Sequence, residues 1–161
     1  MKCDCVLPNL FIGPDPRLEE EFELLRSLKI TAIVSLQTDD DVRQGGLDRA
    51  QAAAERAGFF FCSLPVTDFD RLELRRKLPE CVAKLDELLT AGHTVYIHCT
   101  AGVNRSPTVT VAYLHWRLGW PLEKAVAHLE SVRNCCPDVE SIRSAGGGQL
   151  RERNAERLGY C

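Results

Sequence analysis

Two residues of this sequence have types and spacing that could do covalent chemistry: Cys99, at the end of the apolar run VYIH, and Arg105, six residues on. A thiolate can attack an electrophile that carries negative oxygens, while the planar guanidinium fork holds two of those oxygens in a way a lysine cannot. Spacing alone is a weak signal, because in a chain with eight cysteines a bare Cys-x5-Arg is expected by chance about once. The setting lends it meaning. HTVYIHC (93–99) reads as a strand, and a helix opens near Ser106 with Pro107 in its first turn. Residues 100–105 therefore form the turn between the carboxyl end of a strand and the amino end of a helix, where α/β proteins bind anions. Successive amides curling round Thr100, Ala101, Gly102, Val103 and Asn104 make a concavity suited to a phosphate or sulfate. That positive field, with Arg105, favours reaction of Cys99 as a thiolate. Ser106 places a hydroxyl beside the sulfur, where it can ease the departure of the thiolate.

Such a turn needs a framework, and the pattern predicts alternating strands and helices. CVLPNLFIG (5–13) reads as a short edge strand, Pro8 arguing against a central place. A helix begins near Pro16, its apolar face drawn from Leu18, Phe22, Leu25 and Leu28. ITAIVSL (30–36) suits a strand buried on both faces, and the polar loop QTDDDVRQGG follows it. Residues 47–58 form a helix closed by Gly58, and FFFCSLPV (59–66) a buried strand leading into the loop TDFD. A helix over 72–92, started or kinked at Pro79, precedes the strand that ends at Cys99. Two helices follow, over 106–119 and from Pro121 to 134, then a last one near Pro137-Asp138 that is interrupted or ended at Gly146-Gly147-Gly148. The tail 146–161 is charged and suits a helix. Fold class is thus α/β: a mostly parallel central sheet with helices on both faces. A single domain over 1–161 is expected, with its core at about 5–145.

Composition narrows the functions. The 161 residues can bury a conventional core without staples. A net charge of −3 without a dense basic block argues against nucleic acid as partner. No apolar run approaches the roughly 18 residues a membrane span needs, and the N-terminus lacks a secretory pattern, so the expected place is cytoplasmic. The scattered cysteines fit reduced thiols, and their spacings do not suit zinc, so no metal and no cofactor are expected. Cys62 and Cys81, among apolar neighbours, read as small buried hydrophobes. A monomer is expected.

The segment His98-Cys99-Thr100-Ala101-Gly102-Val103-Asn104-Arg105-Ser106 resembles the phosphate loop of the cysteine-dependent protein tyrosine phosphatase superfamily, in its small dual-specificity branch. The resemblance implies the dual-specificity phosphatase fold and a metal-independent, two-step phosphomonoester hydrolysis. Cys99 would attack phosphorus, Arg105 and the loop amides would hold the equatorial oxygens, and water would hydrolyse the phosphocysteine. It also implies that His98 orients the loop. An acid must protonate the leaving oxygen, and TDFD supplies Asp68 and Asp70. The resemblance selects Asp68, the first aspartate of such a loop, while Asp70 suits a cap for the following helix.

Within the family, VTDFDRLELRRKLPECVAKLDELL, HCTAGVNRS and CCPDVESIRSA are most similar to the starch-excess and laforin-type glucan phosphatases. Asn104 departs from their loop pattern, which has glycine there. Phe69 matches an aromatic beside their acid and, with Asp70, is a candidate substrate contact, whereas DVRQGGLD lacks the adjacent aromatics those enzymes carry and Cys136 stands where another would be. Tyr113, Trp116 and Trp120 read as packing. The expected partner is a phosphorylated substrate: protein phosphorylated on tyrosine, serine or threonine, or glucan. The alternatives are a phosphoinositide phosphatase and a catalytically silent phosphate-binding module, though a silent module would usually have lost Cys99, Arg105 or Asp68. Sulfur transfer and arsenate reduction also use Cys-x5-Arg, but would not call for His98, Gly102, Ser106 and Asp68 together. Cys62, on an adjacent strand, is the first candidate thiol to rescue an oxidised Cys99.

Overall fold

Among the described residues, five short strands make one sheet in the order β1-β2-β5-β3-β4. The structure is a computed structural model and describes residues 1–42 and 46–145. The strands are β1 (Asp4–Leu7), β2 (Leu10–Gly13), β3 (Ala32–Ser35), β4 (Phe60–Ser63) and β5 (Val95–His98). Only β1 runs antiparallel; β2, β5, β3 and β4 are mutually parallel, with Ile97 of β5 level with Ile12 on one side and Val34 on the other. Residues 32–35, 10–13 and 95–98 are buried throughout, as strands covered on both faces must be.

Helices cover both faces, as the sequence pattern predicts. On one side lie α1 (Glu19–Ser27) and α2 (Gly46–Arg56), packing Phe22, Leu25 and Ala54 against Phe11, Ile33 and Tyr96. On the other lie α3 (Arg71–Thr90), α4 (Arg105–Trp116), α5 (Leu122–Val132) and α6 (Val139–Ser144), around a core that includes Leu78, Leu85, Ile97, Leu114 and Leu129. α4 is buried along nearly its whole length, a central helix under α3 and α5. Tyr113 and Trp116 belong to that core, and Trp120 packs against it, edge-on to His128 and under the ammonium of Lys124. Among the described residues, no helix is long and apolar enough to cross a membrane.

The boundaries differ from the sequence reading where local chemistry competes. The stretch 5–13 is a hairpin, not one edge strand: Pro8 sits in its turn, β1 is the edge, and β2 is interior beside β5. α1 begins at Glu19, because the Glu21 carboxylate accepts from the amides of Arg17 and Leu18 and so caps the helix there. Leu18 is thereby left outside the helix and 58% exposed, so it is not part of the apolar face. α3 runs unbroken through Pro79 and starts eight residues before it. The expected helix in 146–161 lies outside the described residues.

Candidate active site

Cys99 follows β5 directly and is 3% exposed, on the floor of the turn that the sequence places there. The five carbonyls of that turn all point away from its centre and each has a donor. The Thr100 carbonyl accepts from the amide of Asp15, Val103 from that of Cys136, and Asn104 from the amide and hydroxyl of Thr108. Those of Ala101 and Gly102 accept from the guanidinium of Arg133, at 2.9 and 2.6 Å. Every peptide here is trans, so a carbonyl facing outward turns the next residue's N–H inward. The amides of residues 101–105 therefore converge on the space above Cys99, an anion nest whose shape is enforced from outside.

Two glycines permit this. Gly102 has φ +65°, and a Cβ on it would run into the carbonyl of Gly13 and the guanidinium of Arg133. A Cβ on Gly13 would meet the hydroxyl of Tyr96, which donates to the carbonyl of Pro14 at 2.6 Å. Arg133 is itself buried and paired with Asp4 of β1 at 2.7 Å. The loop is thus braced from the far edge of the sheet.

Arg105 is 2% exposed, and its guanidinium is committed on one side. Nη1 donates to Oδ2 of Asp41 at 2.7 Å and to the carbonyl of Val66 at 2.8 Å; Nη2 donates to Oδ1 of Asp41 at 3.2 Å and to the hydroxyl of Thr100 at 3.1 Å. Nε is buried, with no hydrogen-bond partner among the described residues. It lies 3.2 Å from Oδ1 of Asp68, within ion-pair range but too far off the N–H direction to be a hydrogen bond. A buried cationic donor without a hydrogen-bond acceptor, beside a nest of amides, is a site prepared for an oxyanion. Burial opposes the charge on Arg105, but Asp41, Cys99 and Asp68 outweigh it and keep the guanidinium protonated. Burial alone would raise the Asp41 carboxyl; hydrogen bonds from Arg105 and Thr38 outweigh it and hold the group at about 2. Asp41 is therefore ionised at neutral pH and has no proton to give as the acid.

His98 is fully buried, and burial pushes it below its ordinary range; Nδ1 faces the carbonyl of Cys99 at 3.2 Å and the ring stacks on Tyr96. A neutral, walled-in imidazole suits a holding role. The Ser106 hydroxyl donates to Sγ of Cys99 at 3.4 Å.

The loop TDFD closes the site from the side of β4. Asp68, its side chain 35% exposed, stands beside Arg105 at the rim. Asp70 is the N-cap of α3, accepting from the Glu73 amide at 2.9 Å, while the Glu73 carboxylate accepts from the Thr67 amide at 3.2 Å. The Asp70 carboxylate is thus engaged as a cap. Phe69 between them has φ +62° and is 96% exposed, a non-glycine residue in the left-handed region at the mouth of the site. Arg71 then grips Asp138, the N-cap of α6, with two bonds of 2.7 and 2.9 Å. Among the described residues, no three His, Cys, Asp or Glu side chains converge as metal ligands would.

Asn104 donates its side-chain amide to the carbonyl of Cys136 at 2.8 Å, so it ties the loop to the segment before α6. Cys62 does not lie on a strand adjacent to Cys99: β3 separates β4 from β5. Two strand spacings put their Cα atoms roughly 10 Å apart, beyond disulfide reach. Burial raises the thiols of Cys62 and of Cys81, the latter to about 12, as befits inert core residues. Asp41, Asp15, Asp4 and Arg133 had no motif to announce them. The one usable signal was the acidic run 39–41 at the carboxyl end of a buried strand, where α/β sheets place their sites.

Comparison with known proteins agrees with this geometry. The family described as "Dual specificity phosphatase, catalytic domain" matches residues 10–144. The chain is 34% identical over 150 residues to the phosphoglucan phosphatase DSP4, amyloplastic, of Castanea sativa, covering 90% of this chain and 40% of that one. It is 33% identical over 132 residues to laforin of Mus musculus, covering 74% of this chain and 40% of that one. The crystal structure of PTPMT1 superposes with a TM-score of 0.73 at 18% identity, covering 96% of this chain and 99% of that one, a likeness of fold. The chain spans 40% of the length of the first and of the second relative.

Proposed function

The chain belongs to the dual specificity phosphatase family, and from that premise we propose that it is a metal-independent phosphomonoester hydrolase working through a phosphocysteine on Cys99. The observation that carries the reading is the nest itself: inward amides over Cys99, closed by a buried Arg105 whose Nε has no hydrogen-bond partner among the described residues. In the first step the Cys99 sulfur forms a bond to phosphorus as the ester P–O bond breaks, and Asp68 gives its proton to the leaving oxygen. In the second, Asp68 takes a proton from water, whose oxygen attacks phosphorus; the S–P bond breaks and the thiolate departs with help from the Ser106 hydroxyl. Arg105 and the amides of residues 101–105 carry the charge on the three equatorial oxygens throughout, and with Arg105 already supplying a cation the steps call for no metal.

The substrate class proposed is phosphorylated glucan, on the strength of relatives described as phosphoglucan phosphatases. Phosphoprotein is the second reading, favoured by 32% identity over 120 residues to human dual specificity protein phosphatase 9 and by the single exposed aromatic, Phe69, among the described residues of the loop beside the acid. One phosphatase domain spanning the chain, acting as a monomer, completes the proposal, supported by a single sheet and by a family match over 10–144. A cytoplasmic address rests on the sequence pattern alone, and two relatives are described as amyloplastic and chloroplastic.

The test is phosphate release, in the presence of EDTA, from phosphorylated amylopectin, phosphotyrosine and phosphothreonine peptides and phosphoinositides at equal enzyme. Hydrolysis that Cys99→Ser abolishes, by at least about 10³-fold, with oxyanion binding retained, is the expected result. Undiminished turnover by Cys99→Ser would sink the nucleophile assignment, and faster release from either peptide than from amylopectin would overturn the glucan assignment.

A further inference from the structure

A carboxylate on the guanidinium of a phosphate loop calls for explanation, because its charge repels the anion that the loop is built to hold. Asp41 spans the Nη1–Nη2 edge of Arg105 with both oxygens. It is itself fixed, accepting from the amide and hydroxyl of Thr38 at 2.9 and 3.1 Å and from the hydroxyl of Thr100 at 3.1 Å. Nη1 also donates to the carbonyls of Val66, at 2.8 Å, and Leu36, at 3.4 Å. What these partners leave without a hydrogen-bond acceptor among the described residues is Nε, buried and 3.2 Å from Oδ1 of Asp68.

We infer that Asp41 is a positioning residue, which fixes the rotation of the Arg105 fork so that its Nε–H faces the phosphate. The inference rests on the reading of residues 99–105 as a phosphate loop. A buried ion pair is in general poor evidence of stabilisation, since desolvation offsets most of the attraction. Orientation is a different gain: a guanidinium free to turn offers its donors to the phosphate only part of the time, and a small misplacement of a group that meets the transition state is costly. Thr100 joins the two functions. Its hydroxyl links Asp41 to Nη2, and its carbonyl is one of the five turned outward. The clamp and the nest are one hydrogen-bonded unit, although Asp41 belongs to the loop after β3 and Arg105 to the first turn of α4.

The decisive measurement is a double-mutant cycle on tungstate binding, with wild type, Asp41→Asn, Arg105→Lys and the double variant. Asp41→Asn is expected to weaken tungstate about 10-fold or more when Arg105 is present, and kcat on an aryl phosphate is expected to fall in parallel. In the Arg105→Lys background, with no fork to orient, the same substitution is expected to change tungstate affinity less than about twofold. An equal loss in both backgrounds would show Asp41 acting directly on the oxyanion or on loop structure alone, and would overturn the inference, as would no loss with Arg105 present. If circular dichroism shows Asp41→Asn to be unfolded, Thr38→Val, which removes one of the bonds to the carboxylate, is expected to give a smaller loss with the same dependence on Arg105; an Arg105-independent loss would count against the clamp. Failure of the wild type to bind tungstate would instead refute the phosphate-loop reading itself.

Discussion

Asn104 and Cys136 are joined by a side-chain hydrogen bond with a backbone bond beside it: the Asn104 side-chain amide donates to the Cys136 carbonyl at 2.8 Å, and the Cys136 amide donates to the carbonyl of the neighbouring Val103 at 2.7 Å. The residue that departs from the glucan-phosphatase pattern is therefore a strut. It holds the loop against the segment leading into α6, whose N-cap Asp138 is in turn gripped by Arg71 next to the acid loop.

Replacing Asn104 by glycine removes one of those two links and leaves φ, at −124°, in a region any residue adopts. The loss of one hydrogen bond is expected to cost about 1 kcal/mol, or about 2–4 °C in Tm for a chain of this size. Because the amide is spent on Cys136, the glycine variant is expected not to release phosphate from amylopectin faster than wild type. Calorimetry and a phosphate-release assay check both parts; a gain on amylopectin would show that the side chain excludes glucan.

Asp68 and Asp70 are separated by their environments and should separate in mutation. Asp68→Ala is expected to lower kcat about 10²- to 10⁴-fold on substrates with poor leaving groups and far less on aryl phosphates with good ones. Asp70→Ala removes the cap from α3 and is expected to cost about 1 kcal/mol of stability, with no leaving-group dependence. A series of substituted aryl phosphates distinguishes them, and the opposite pattern would reassign the acid.

Ser106 donates to Sγ of Cys99, so its hydroxyl acts on the sulfur when that sulfur is the leaving group. Ser106→Ala is expected to slow breakdown of the phosphocysteine about 10-fold or more, a typical worth for a hydrogen bond to a charged group, while leaving its formation nearly unchanged. Rapid-quench kinetics should show a burst of alcohol release; a slowed burst would place Ser106 in the first step instead.

Stability is expected to fall with acid in two stages. Burial depresses His98, so below about 6.5 the unfolded chain binds a proton that the folded one refuses, and stability present above that pH is lost as pH falls. Asp41 and Asp138 are held at about 2 by Arg105 and Arg71, against an ordinary 3.8, so their contribution is present above pH 4 and is lost between about pH 4 and 2. Urea unfolding across this range tests the signs. His98→Gln should flatten the upper stage and Asp138→Asn the lower; an unchanged lower slope in Asp138→Asn would refute the Arg71 linkage.

How much of this was legible in the chain depends on how far apart in sequence the partners lie. Cys99, Arg105 and Ser106 sit within one strand-turn-helix unit, whose geometry is local, so residue types and spacing sufficed to find them. The buried parallel strands were legible because covering both faces leaves an unbroken apolar run, as in 32–35 and 95–98. Asp70 as a cap was legible for the same local reason.

The residues that shape and aim the loop come from elsewhere. Asp41 lies 64 positions from Arg105, and Asp4 lies 129 from Arg133, which in turn reaches 32 positions back to Ala101. No periodicity encodes such pairs; they exist because the order β1-β2-β5-β3-β4 sets β5 between β2 and β3, bringing Asp15 and Asp41 to either side of one turn. The same order set β3 between Cys62 and Cys99. By itself the sequence determined which atoms could react, because that chemistry is carried in one short segment; the tertiary structure alone decided which way the amides and the guanidinium face, because orientation is imposed by partners that only the fold brings near.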